Sequence, residues 1–210
     1  HVPKAIIGDI NILKDAPMDM LIAGVGDVLG KYVCLLDWKL ASMIQGEYHC
    51  SYIEKMVQHA LKMVVSNAEK IKERDPQTIQ YIMEGLVLSG IAMSYAGNSR
   101  PASGSEHHLS HYWEMMFLFQ GREPVLHGIK VGVGTVITTC LYERLLESAI
   151  DFKTARDEIL NFNIEEWKKE IRKVYPVVGE DIIEFEEEVQ KNRKEKVLER
   201  IDILEHNWEK

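Results

Sequence analysis

The sequence predicts an all-α, multi-helix protein with at most one short N-terminal strand. Apolar residues recur at three- and four-residue steps over most of the chain, as in Leu29, Val33, Leu36 and Leu40, which is the period of a helix face. Helix punctuation is also present. Pro17 suits a first helical turn, and Asp75-Pro76 pairs an N-cap acid with a proline at the first helical position. Only residues 5–13, AIIGDINIL, read as a strand, because the run is β-branched and bounded by Pro3 and Pro17.

From Pro17 onward each element reads as helix. Gly24 and Gly26 interrupt the first pattern, so a new helix is expected from about Asp27 to Ile44. A second covers about Ser51–Glu73, with Ile53, Met56, Val57, Ala60, Leu61, Val64 and Val65 on one face. The helix from Pro76 to about Ala96 is apolar over most of its later length, which predicts burial on several sides. Residues 97–105, GNSRPASGS, form the clearest loop. Helices follow from Glu106 to about Phe119 and from about His127 to Glu147, joined by a short connector around Pro124. Residues 151–210 are charged and helical in pattern, with a break from Pro176 to Gly179. There Glu184, Glu186, Glu187 and Glu188 face Lys191, Arg193, Lys194 and Lys196, as in a solvated helix laced with ion pairs.

With 210 residues, 46% of them hydrophobic and 28% charged, the chain can bury one sizeable core. The net charge of -8 carries no basic stripe, which argues against nucleic acid as a partner. An anionic ligand has to be drawn in by local groups against that field. No apolar run reaches the roughly 18 residues of a membrane span, so no membrane insertion is expected. Cys34, Cys50 and Cys140 lie far apart without CxxC spacing. They read as buried, reduced thiols of a cytoplasmic protein. The opening His1-Val2-Pro3-Lys4, without an initiator Met, suits a fragment or a processed chain.

Four of the eight histidines, His107, His108, His111 and His127, fall within 21 residues. His107 and His111 are four apart and share a helix face. His127 opens the next helix, which a short connector returns alongside. Imidazoles from two antiparallel helices can then meet, and Asp27 is available as a third ligand. Zinc and similar metals take imidazole nitrogen and carboxylate oxygen, with an open position in catalytic sites. The spacing is less specific than HExxH, so these residues alone leave both a metal site and ordinary packing histidines open.

Three segments resemble a known family. They are GVGDVLGKY at 24–32 with Leu36-Asp37-Trp38, SGIAMSYAGNSRPASGSEHHLSH at 89–111, and LHGIKVGVGT at 126–135. They are similar to the sn-glycerol-1-phosphate dehydrogenases, especially the bacterial arabinose-operon type. These belong to the iron-containing alcohol dehydrogenase and dehydroquinate synthase-like superfamily. The resemblance runs from about residue 3 to residue 148. It implies the helical C-terminal domain of that fold: residues 1–16 as the end of an absent nucleotide-binding domain, and 17–210 as the metal- and substrate-binding domain.

By that resemblance the metal ligands are Asp27, His107 and His127, with His108 as a rival for the His107 position. The metal is one divalent ion, zinc or nickel, with iron also open. NAD(P) would bind through the absent domain, since Gly132-Val133-Gly134 sits inside a helical pattern and suits close helix packing instead. The implied reaction is interconversion of dihydroxyacetone phosphate and sn-glycerol 1-phosphate, a polyol phosphate, by an enzyme that often forms a homodimer. The 210 residues alone would then be inactive.

His111 is a candidate for proton relay or for helix packing. Asn98, Ser99, Arg100 and Lys31 are candidates for the substrate phosphate, Lys31 otherwise orienting Asp27. Ser103 and Ser105 suit helix capping. Two rival functions remain. One is a lyase like dehydroquinate synthase, whose members carry Glu in place of Asp27 and lack the SRPASGSEH segment. The other is a non-catalytic helical metal-binding module.

Overall fold

A computed structural model describes residues 3–208. The expected features at residues 1, 2, 209 and 210 lie outside the described residues. Two units, His1–Leu146 and Glu147–Lys210, each hold their own internal contacts. Every regular element among the described residues is helical. No helix is long and apolar enough to cross a membrane.

The expected strand at 5–13 is absent. Residues 5–9 are irregular, and Ile10–Leu13 forms a single helical turn, α1, capped by the Asp9 carboxylate, which accepts from the Asn11 N–H at 2.9 Å. A lone extended segment has no partner for its backbone groups, whereas this turn bonds within itself.

The next helix, α2, spans Met18–Leu29 and runs straight through Gly24 and Gly26. It stops at Gly30, after which α3 spans Lys31–Gln45 and ends on Gly46 at φ 66°. Asp27 therefore lies in the last turn of α2 and not at a helix start. The two glycines serve close packing: a Cβ on Gly24 would come within 2.8 Å of Ile82, and one on Gly26 within 2.2 Å of the Gly128 carbonyl.

Ser51–Val65 forms α4, and a separate 3₁₀ segment, Ala68–Glu73, replaces the end of the longer helix expected there. Arg74 at φ 55° turns the chain and donates to the Ala16 carbonyl at 2.7 Å. In α5, Pro76–Ala96, Asp75 caps the start by accepting from the Thr78 N–H at 2.8 Å. This helix packs on α1, α2, α4 and the 3₁₀ segment. Its last turns are less covered than the sequence suggests, with Ile91 and Tyr95 exposed.

Two apolar clusters hold this unit. One joins Leu21, Val28, Leu61, Val64, Ile71, Ile79 and Ile82. The other joins Cys34, Leu35, Trp38, Ile53, Val57 and Ala92. Each fully buried side chain of this size contributes about 1.5–3 kcal/mol. Trp38 satisfies its indole N–H on the Tyr48 carbonyl at 2.8 Å. The cysteines are not all buried as expected. Cys34 is, but Cys50 is half-buried and Cys140 exposed, because residues 139–147 of its helix are exposed on nearly every side.

Ser105–Phe119 forms α6 and His127–Glu147 forms α7. Ser105 is the first residue of α6 and does not cap it. Its N–H and hydroxyl both donate to Asp37 Oδ2, at 2.6 and 2.8 Å, so α3 supplies the cap.

In the second unit, Phe152–Leu160 (α8) packs on Lys194–Asn207 (α11), and Ile164–Val174 (α9) on Gly179–Val189 (α10). Gln190 at φ 50° ends α10, so the acids and bases expected to face each other fall on different elements. Glu187 pairs with Lys168 at 2.5 Å, Arg172 with Glu180 at 2.5 Å, and Arg156 with Asp202 and Glu205.

Candidate metal centre

Three helices bring three donors together, and a glycine at each close approach makes it possible. A Cβ on Gly26, next to Asp27, would lie 2.2 Å from the Gly128 carbonyl oxygen. One on Gly128, next to His127, would lie 1.9 Å from that of Ala23. One on Gly134 would lie 2.6 Å from the carbonyl oxygen of Glu106, the residue before His107. Helix backbones touch at these points, so α2, α6 and α7 meet closer than any side chain would allow. Asp27, His107 and His127 project from that junction.

Asp27 Oδ1 stands 3.5 Å from His107 Nε2 and 3.8 Å from His127 Nε2. The three donor atoms lie within 4.8 Å of one another. A four-coordinate metal with bonds of about 2.0–2.1 Å separates its donors by about 3.3–3.4 Å, so this donor set fits such an ion with little movement. His108 is exposed and outside the cluster.

The opposite atom of each donor group is engaged elsewhere. Asp27 Oδ2 accepts from Lys31 Nζ at 3.1 Å. His107 Nδ1 meets Glu106 Oε1 at 2.6 Å, and His127 Nδ1 meets Glu114 Oε1 at 2.9 Å. A carboxylate oxygen accepts, so each Nδ1 donates its proton; once Nε2 gives up its own proton, its lone pair would face Asp27 and could bind a metal. Burial opposes ionisation of Asp27, but the His107 hydrogen bond and the Lys31 ammonium outweigh it and bring the carboxyl down to about 2. Glu114 behaves alike: burial works against its charge, while His127, His111 and Lys130 hold it at about 2. Burial lowers the His107 pKa, yet Asp27 and Glu106 together raise it above its ordinary value.

Glu106 and Glu114 were not singled out from the sequence. His107, His111 and Glu114 follow i, i+4, i+7 spacing along α6, one helix face, which is the signal that could have found Glu114. Glu106 is fully buried, and its Oε1 also accepts from the Gly104 N–H at 2.9 Å. Asp37 sits beside it, taking the Tyr142 hydroxyl on Oδ1.

His111 is half-exposed, its ring 5.6 Å from that of His127 and 6.2 Å from that of His107. Lys31 is buried and donates to the Ala102 carbonyl at 3.0 Å as well as to Asp27. Arg100 forms a two-point fork with Glu47, at 2.6 and 2.5 Å. Asn98 Oδ1 accepts from the Arg100 N–H at 3.0 Å, and the Ser99 carbonyl accepts from the N–H groups of Ala102 and Ser103. These four residues do not form one cluster: Lys31 faces Asp27, and Arg100 faces Glu47.

Sequence comparison adds identity to this geometry. No family model matches the chain. A protein of Halalkalibacterium halodurans named glycerol-1-phosphate dehydrogenase [NAD(P)+] is 42% identical over 151 residues, 72% of this chain and 38% of its own length. A Pyrococcus furiosus protein of that name is 43% identical over 140 residues, 67% of this chain and 39% of its own. A Bacillus licheniformis protein of that name is 38% identical over 157 residues, 75% and 39% respectively. By sequence, the chain belongs to the glycerol-1-phosphate dehydrogenase family. It spans somewhat over a third of the length of these curated relatives. An all-helical structure fits a single domain of such an enzyme.

Proposed function

We propose that this chain is the helical, metal-holding part of a metal-dependent oxidoreductase that interconverts dihydroxyacetone phosphate and sn-glycerol 1-phosphate with NAD(P)(H). The observation that carries the reading is the convergence of Asp27, His107 and His127, each with its second polar atom already engaged. The name shared by the relatives supports the substrate and the nicotinamide cofactor. It also favours a dehydrogenase over a lyase or a module without redox chemistry.

Zinc, nickel or iron bound here would supply Lewis-acid polarisation of the substrate carbonyl. Asp27, His107 and His127 hold the ion. His111, reaching solvent, carries the proton between the substrate hydroxyl and water. Gly132 and Gly134 pack against Gly26 and Glu106, so they are committed to helix contacts. The dinucleotide then belongs to the part of the relatives' length that this chain does not span. For the substrate phosphate, Asn98, Ser99, Arg100 and Lys31 remain the candidates. Lys31 and Arg100 are each paired with a carboxylate, so Arg100 would have to exchange Glu47 for phosphate.

Elemental analysis and zinc titration of the purified chain test the metal site. About one equivalent is expected, bound far more weakly but still measurably in Asp27→Ala, His107→Ala and His127→Ala. Unchanged affinity in all three variants overturns the assignment.

A further inference from the structure

We propose that Glu114 is a positioning residue of the metal centre: its carboxylate fixes the His127 ring so that Nε2 faces Asp27. The inference rests on the metal reading of Asp27, His107 and His127. Of the two imidazoles, His127 has the weaker support from packing. Its side chain is 42% exposed, against 9% for His107, and it stands at the very start of α7. Rotation about the terminal torsion of a histidine is broad and roughly two-fold, so an unsupported ring can present either nitrogen. Glu114 Oε1, 2.9 Å from His127 Nδ1, selects one orientation and one tautomer.

Glu114 is itself anchored. Lys130 Nζ lies 3.2 Å from Oε1, and that ammonium is buried and also donates to the Val125 carbonyl. His111 Nδ1 lies 3.2 Å from Oε2. Groups from α6 and α7 thus hold both oxygens, and the carboxylate ties the two helices together where His127 emerges.

Donor atoms of His111, Glu114 and His127 also lie within 4.8 Å of one another. The Lys130 ammonium argues against a metal there, because it already supplies the cation at Glu114 Oε1. His127 Nδ1, carrying the proton, has no lone pair to give. Glu114 therefore orients a ligand and is not one.

Zinc affinity of the intact chain, measured by chelator competition, tests this for Glu114→Ala and Glu114→Gln, each alone and combined with His127→Ala. Loss of an outer hydrogen-bond partner typically weakens metal binding about 10- to 100-fold. That loss is expected for Glu114→Ala alone, with a smaller one for Glu114→Gln, whose amide oxygen still accepts from Nδ1. In the His127→Ala background neither change should weaken zinc further. Nitrogen NMR of His127 should show the Nδ1–H tautomer in the parent chain and its loss in Glu114→Ala, and circular dichroism checks the fold of each variant. Equal losses in both backgrounds, or affinity and tautomer both unchanged, overturn the proposal. So does a second zinc equivalent in the parent chain that Glu114→Ala removes. If Asp27→Ala binds zinc like the parent chain, the metal reading itself fails, which is a separate result.

Discussion

The Arg100 guanidinium meets both oxygens of Glu47 and is only partly screened by solvent. The pair ties the loop before α6 to the end of α3. Arg100→Ala and Glu47→Ala should each lower stability by about 0.5–1.5 kcal/mol. The double variant should cost little more than either one, in denaturant unfolding of all three. Full additivity would mean that the fork does not hold the loop. A histidine cluster of this kind is visible in sequence because histidine is scarce, and its chemistry is narrow. The carboxylates that support it are not. Glu106 and Glu114 are two of 33 acidic residues, and only spacing against His107 and His111 sets Glu114 apart. Nothing local announces that Glu106 is buried, since its environment comes from α3 and α7.

At the level of helices, the elements were legible and their interruptions were not. Periodicity identifies α3 and α4, each of which buries an apolar face, and Asp75-Pro76 marks the start of α5 correctly. Gly24 and Gly26 read as a break because glycine weakens an isolated helix. Their purpose is visible only against Ile82 and Gly128 on other helices. The same limit explains the strand expected at 5–13: β-branched composition was present, but no partner strand exists among the described residues. The glycine junction gives a sharp test. Gly26→Ala has nowhere to place its methyl and should cost about 1–3 kcal/mol as overpacking. It should also weaken zinc binding, because α2 and α7 must separate and carry Asp27 from His127. Gly90→Ala in α5 is the control, with nothing within 4 Å of its Cβ. It should leave zinc affinity alone and stabilise the helix by about 0.5–1 kcal/mol. Thermal melts and zinc titrations of both variants check this.

Over the whole molecule, all three donors lie in the first unit, and two apolar clusters build that unit without an ion. Chelator treatment should therefore leave the helical circular dichroism intact. Melting temperature should fall only as far as lost ligand binding requires, and should recover with added zinc in a concentration-dependent way. Collapse of the helical signal on chelation would contradict this. In small zinc domains the metal is the nucleus of the fold and its binding energy is folding energy. Here Lys31, buried between Asp27 and the Ala102 carbonyl, already neutralises the carboxylate that the metal would meet. The pocket carries its own resident counterion, so a metal bound there would meet a carboxylate already held in place. Reconstitution with zinc, nickel or iron should then leave the helical circular dichroism of one unchanged scaffold, whichever metal is supplied.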